Sequence, residues 1–127
     1  MTQEEKDLLL KDLCARLPYG AFVQFEVDGL KTIKPLTVDF LSSTWYHTEW
    51  IKPYLRPMSS MTEEEYNKYE LTFDNVVVYC GHNNNNIHSE HRPTYETFDY
   101  LDSIHVDYRD LIPKGLALEA PKDMYKF

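Results

Sequence analysis

Hydrophobic positions along this chain change their period several times, and each change predicts a new element. Leu10, Leu13, Cys14 and Leu17 recur at i, i+3, i+4 and i+7, with Leu9 widening the stripe, which predicts an amphipathic helix facing a core. Thr2 and Glu5 have the T-x-x-E spacing of a capping box, and Pro18 and Gly20 stop the pattern, so the helix should run from about Gln3 to Arg16. The period then drops to two. Ala21, Val23, Phe25 and Val27 alternate with Phe22, Gln24 and Glu26, as a half-buried strand does. Asp28-Gly29 supplies the positive-φ pair of a two-residue hairpin, and Leu30–Lys34 returns as a second strand until Pro35 interrupts it. Thr44–Ile51, rich in Trp, Tyr, Thr and Ile, reads as a third strand.

A proline-braced corner follows, with Pro53 and Pro57, and then a second capping box. Thr62 is its N-cap and Glu65 its N3 residue, with Met61 and Tyr66 at the staple positions N′ and N4. Glu63, Glu64 and Glu65 favour the positive end of a helix expected from about Glu63 to Glu70. Val76-Val77-Val78 predicts a strand over Phe73–Tyr79, after which Gly81–His91 loses all periodicity. Pro93 and Thr94 introduce a helix over about Tyr95 to His105, with Phe98, Leu101, Ile104 and His105 at helical spacing. Pro113 and Gly115 break the chain, and Leu116, Ala117 and Leu118 should dock the tail onto the core. The expected architecture is one α+β domain over 1–127: an N-terminal helix, a small curled antiparallel sheet with SH3-like character, two further helices and a docked tail.

Charge excludes one class of partner. The net charge of −8 is uneven: residues 1–61 hold eight acids and seven bases, whereas residues 62–127 hold thirteen acids and six bases, or −7. Direct DNA or RNA binding needs a basic face to replace phosphate counterions, and the chain has no Lys/Arg cluster. The acidic half suits solubility, a basic partner protein, or imitation of nucleic acid. The two cysteines, Cys14 and Cys80, are far apart, so no disulfide framework is expected, and Cys14 reads as a small buried hydrophobe. No stretch approaches the roughly 20 apolar residues of a membrane span, and MTQEEKDLLL lacks the form of a signal peptide. A soluble, cytoplasmic protein that does not contact membrane is expected.

Three groups of residues bear on chemistry. His82, His88 and His91, with Glu90 and Cys80 nearby, offer metal-ligand types, but four consecutive asparagines between them favour a solvated loop. Cys80 with His82 has nucleophile-and-base spacing without an evident oxyanion hole or orienting acid. His105, Asp107, Tyr108, Arg109 and Asp110 could do acid–base work. The structural reading is a helix exit in which Arg109 pairs with Asp107 or Asp110, or caps carbonyls, and Tyr108 packs under the tail. Phosphate-cradling, G-x-S-x-G, H-E-x-x-H and C-x-x-C motifs are all absent. No cofactor and no metal site is predicted.

Two blocks, KPYLRPMSSMTEEE at Lys52–Glu65 and HVDYRDLIPKGLALEAPKDMYK at His105–Lys126, stand with the opening MTQEEKDLLLKDLCARLPYG. Together they resemble an uncharacterised family of small proteins from gut Bacteroidales and their phages. That resemblance implies a bacterial or phage accessory protein and carries no activity, substrate or catalytic residue. The expectation is a protein without catalytic activity, acting by contact with a protein partner through Trp45, Tyr46, Trp50, Tyr54 and Arg56, the residue types that dominate interface hot spots. The alternatives are an acidic nucleic-acid mimic or anti-defence protein, suggested by the −7 of residues 62–127 with Glu63–Glu65 clustered, and a metal- or cysteine-dependent enzyme centred on Cys80–His91.

Overall fold

A computed structural model describes residues 1–67 and 95–125, leaving aside the side chains of 66, 67, 95 and 96. The strand expected over Phe73–Tyr79 and the group Cys80, His82, His88, Glu90 and His91 lie outside the described residues. Helix α1 spans Gln3–Arg16 and opens with the predicted capping box: Glu5 N–H donates to Thr2 Oγ1, and Thr2 N–H donates to Glu5 Oε1. A 3-10 turn over Leu17–Tyr19 follows, and Gly20 closes it at φ 70°, a left-handed conformation that glycine adopts without a Cβ clash.

Strands β1 (Phe22–Val27) and β2 (Leu30–Pro35) form the expected hairpin, with Val27 opposite Leu30 and both Asp28 and Gly29 at positive φ. The third strand is not where the aromatic run predicts it. Thr37 caps a helix, α2, over Val38–Thr44, its hydroxyl accepting from Phe40 N–H, and Trp45–Trp50 continues as 3-10 turns with a kink at His47. The β-favouring side chains of Thr44–Ile51 are overruled by that cap and by burial of Leu41 and Phe40 against the sheet. The strand, β3, is Ile51–Leu55, one element later, with Ile51, Pro53 and Leu55 turned inward. Pro53 therefore sits inside a strand rather than bracing a corner. It pairs opposite Val23, and the partner on the other side begins only at Tyr54.

The sheet order is β2-β1-β3-β4, with β4 the short segment Leu118–Glu119. The first three strands are antiparallel, and β4 runs parallel to β3, so the sheet is mixed. Among the described residues four α-helices accompany it, which makes the fold α+β. Helix α3 covers Glu63–Asn67, the described part of the helix expected to Glu70, and α4 covers Tyr95–Ser103. The second capping box is present in full: Glu65 N–H donates to Thr62 Oγ1, and Thr62 N–H to Glu65 Oε1. Met61 is buried as a staple residue should be, whereas the Tyr66 side chain is outside the described residues.

Two apolar clusters hold these elements. The larger joins Leu9, Leu13, Val23, Leu41, Ile51 and Leu55 to Leu111, Leu116 and Ala117, so the tail docks as expected. The smaller joins Met58 and Met61 to Leu101, Ile104, Val106 and Tyr108. Helix α1 buries only part of the face predicted for it. Its buried residues are Leu9, Asp12, Leu13 and Arg16, while Cys14 is exposed. Leu9 and Leu13 of the predicted stripe are buried and Leu10 and Leu17 half-buried against the core, so the buried face overlaps the stripe and is shifted toward Asp12 and Arg16, away from Cys14. The cause lies at the seam between the clusters, where Asp12 and Arg16 are needed.

Candidate functional site

The seam holds a buried charge network. Arg16 and Asp12 have fully buried side chains, joined by Arg16 Nε to Asp12 Oδ2 at 2.8 Å and Nη2 to Oδ1 at 3.0 Å. Arg16 Nη2 also donates to Val106 O at 2.7 Å. Arg109 reaches across from the tail to Asp12 Oδ1 at 2.7 Å, so its partner lies 97 residues away in sequence, not at Asp107 or Asp110. Asp102, on α4, stands 3.9 Å from both arginines and accepts the Tyr108 hydroxyl at 2.8 Å. Tyr108 is buried against Phe98 and under the Arg109 guanidinium, 4.5 Å from its ring centre. It packs on α4 rather than beneath the tail. Asp107 turns its carboxylate onto the N–H groups of Leu111 and Ile112, at 2.8 and 2.9 Å, and caps the next turn.

Burial dominates the titration of these groups. It pushes Asp102 up to about 6 against the pull of Arg16, the Tyr108 hydrogen bond and Arg109. His105 is pushed down to about 4, by burial first and then by Arg16 and Arg56. Asp107 is raised by burial against its two backbone donors. Burial alone would lower Arg16, but the charge and hydrogen bonds of Asp12 raise it. His105 stands at φ 63° after α4, the place glycine usually takes, and Val106 N–H closes back on Leu101 O at 3.0 Å. Its ring stacks on Tyr125 at 3.8 Å. The Tyr125 hydroxyl donates to Tyr54 O and accepts from Phe22 N–H, clamping β1 to β3. The His105–Asp110 segment is therefore bound up in packing. Arg109 is taken up by Asp12, Asp107 by the Leu111 and Ile112 N–H groups, and the His105 ring by Tyr125.

The five predicted partner-binding residues divide. Arg56 is committed inside the protein: its guanidinium forks onto Glu65 at 2.8 Å through both Nη atoms and reaches Ser60 O at 3.0 Å. That pairing holds the Glu65 carboxyl below its ordinary range, the Arg56 hydrogen bond being the main cause. Tyr54 is half-buried on β3, where its backbone meets Tyr125. Trp50 is half-buried between His47, stacked at 3.9 Å, and Phe25. Trp45 and Tyr46 are different. They are 51% and 57% exposed, with ring centres 5.0 Å apart and planes near perpendicular at 67°.

Beside Trp45 lies an apolar groove of about 290 Å³ between α1 and α2, lined by Leu10, Cys14, Leu17, Val38, Leu41 and Trp45. Leu10, Cys14 and Leu17, the part of the predicted stripe left outside the buried face, form one wall of the groove. The other wall comes from α2, which the sequence reading did not recognise. Thr37 followed by Asp39, with Leu36, Phe40 and Leu41 behind them, was the available signal. Of the acidic cluster Glu63–Glu65, only Glu63 and Glu64 face solvent, and Asp102 and Asp107 of the same acidic half are buried.

No group of three or more His, Cys, Asp or Glu among the described residues is arranged to hold a metal. No described helix is long and apolar enough to cross a membrane. No protein family matches the chain, and no curated protein or solved structure shows significant similarity to it.

Proposed function

We propose that the protein is a non-catalytic interaction module that docks a protein partner on the ridge formed by Trp45 and Tyr46. One observation carries this reading. Two large aromatic side chains are held side by side in solvent at the mouth of an apolar groove, with Tyr46 set edge-on to the His47 ring, which in turn stacks on Trp50. Exposed Trp and Tyr of this kind are the residue types that carry binding energy. The internal charges support the same reading from the other side: Asp12, Asp102 and Asp107 are taken up in the packing of the fold.

The test is capture of partners with the tagged protein and its Trp45→Ala/Tyr46→Ala variant. Both side chains are largely exposed, so the variant should keep its thermal stability to within a few degrees. Loss of a specific partner in the variant, with retention in a Leu30→Ala control, supports the ridge. An unchanged set of partners in the variant overturns it.

A further inference from the structure

Resting on that reading, we infer that the ridge and groove together receive a basic amphipathic helix, with an apolar side chain in the groove and an arginine or lysine across Trp45 and Tyr46. The groove runs between two helices, whose side chains offer the ridge-and-groove relief into which a third helix packs. Its lining is apolar apart from the Cys14 thiol and the Ser42 hydroxyl. A leucine or similar anchor spaced i, i+4 from a second one matches such a trough.

The sign of the partner follows from charge. Faces of Trp and Tyr attract cations, and among the described residues no cation of this chain lies over Trp45 or Tyr46. The arginines that do sit on an aromatic ring, Arg16 and Arg109, are both at Tyr108 in the seam. Glu49 stands at the end of the ridge, linked through His47: Tyr46 meets the His47 ring at 5.5 Å, and His47 Nδ1 is 3.3 Å from Glu49 Oε1. Its carboxylate is partly exposed and acts under the influence of Lys6 as well as His47. Residues 1–61, which build the ridge and groove, carry only −1, so the local cue is Glu49, and the −8 of the whole chain adds a longer-range attraction for a basic segment.

The experiment uses three synthetic 16-residue helical peptides against the full chain labelled with 15N. One has leucines at i, i+4 and flanking arginines. The second has glutamates in place of the arginines, and the third has serines in place of the leucines. Saturable shifts of the Trp45 indole N–H and of the amides of Leu10, Cys14 and Val38 are expected with the first peptide alone. Trp45→Ala should weaken that binding at least about fivefold, as for an interface tryptophan, and Glu49→Gln about twofold. Equal binding of the glutamate peptide at Trp45 overturns the basic partner while leaving the ridge as a docking surface. Binding of the serine peptide as tight as the first overturns the groove anchor. Shifts away from Trp45, or none with any peptide up to millimolar concentration, overturn the inference. The interaction reading itself falls only if the Trp45→Ala/Tyr46→Ala variant still captures the same partners.

Discussion

Asp102 and His105 sit three residues apart and should give opposite, nearly cancelling contributions to stability as pH falls. Asp102 titrates at about 6 in the folded protein against 3.8 ordinarily. The folded state therefore holds its proton more tightly, and acidification from pH 7 stabilises the protein through this group. Integrated from pH 7 to pH 4, that gain is about 2 kcal/mol. His105 titrates at about 4 when folded against 6.5 ordinarily, so the unfolded chain binds its proton first. Its contribution is complete above pH 6.5 and is lost over the same interval, by about 3 kcal/mol at pH 4. Urea unfolding of the wild type, Asp102→Asn and His105→Asn at half-unit steps from pH 7 to 4 separates the two. Asparagine is chosen at 105 because it tolerates the left-handed backbone found there. The other groups shifted in the seam, Arg16, Asp107 and Tyr108, largely cancel when each variant is subtracted from wild type. Relative to Asp102→Asn, the wild type should gain about 2 kcal/mol on acidification. Relative to His105→Asn it should lose about 3 kcal/mol. Differences that stay constant to within about 0.5 kcal/mol across the range would refute the burial argument for both groups.

Three further outcomes are expected. Asp12→Ala leaves Arg16 and Arg109 facing one another in the seam without their shared carboxylate, and should lower unfolding free energy by about 3–5 kcal/mol in urea titration. Thr62→Ala removes the hydroxyl that caps α3, and should cost about 1 kcal/mol in the same assay. Maleimide should modify Cys14 in the native protein, read by mass spectrometry of the Cys14 peptide, because its thiol lies on the open groove. Protection of Cys14 until the protein unfolds would contradict the observed face of α1.

Elements with local chemical instructions were legible in the sequence. Thr2 with Glu5, Asp28 with Gly29, and Thr62 with Glu65 each act within four residues, and each formed the predicted cap or turn. Two kinds of feature were not fully legible. The aromatic run Trp45–Trp50 has strand-like composition, but its backbone follows the helix that Thr37 starts and is folded into turns. Strand propensity measures fit to a pleated surface more than any backbone command, so a neighbouring cap can override it. The face of α1 was legible only in part: Leu9 and Leu13 are core, but Asp12 and Arg16 look like solvent positions until their partners appear. Those partners, Asp102, Val106 and Arg109, come from the far end of the chain. Of the residues named by type as a binding surface, Trp45 and Tyr46 stand exposed, whereas the Arg56 guanidinium is paired with Glu65, which residue type alone does not reveal.

The seam also has a consequence in the order of synthesis. Helix α1 leaves the ribosome well before its partners: Arg16 gains its Val106 carbonyl, and Asp12 its second arginine, only after residues 106 and 109 have been added. Tyr125 must follow before it clamps β1 to β3. The earliest helix is therefore among the last to be locked in place. A nascent chain stalled short of residue 106 can set Leu9 and Leu13 in a cluster with Val23, Ile51 and Leu55 and pair Arg16 with Asp12, but it lacks the carbonyl and the second arginine that complete the seam. Synthesis must pass residue 125 before this fold can close.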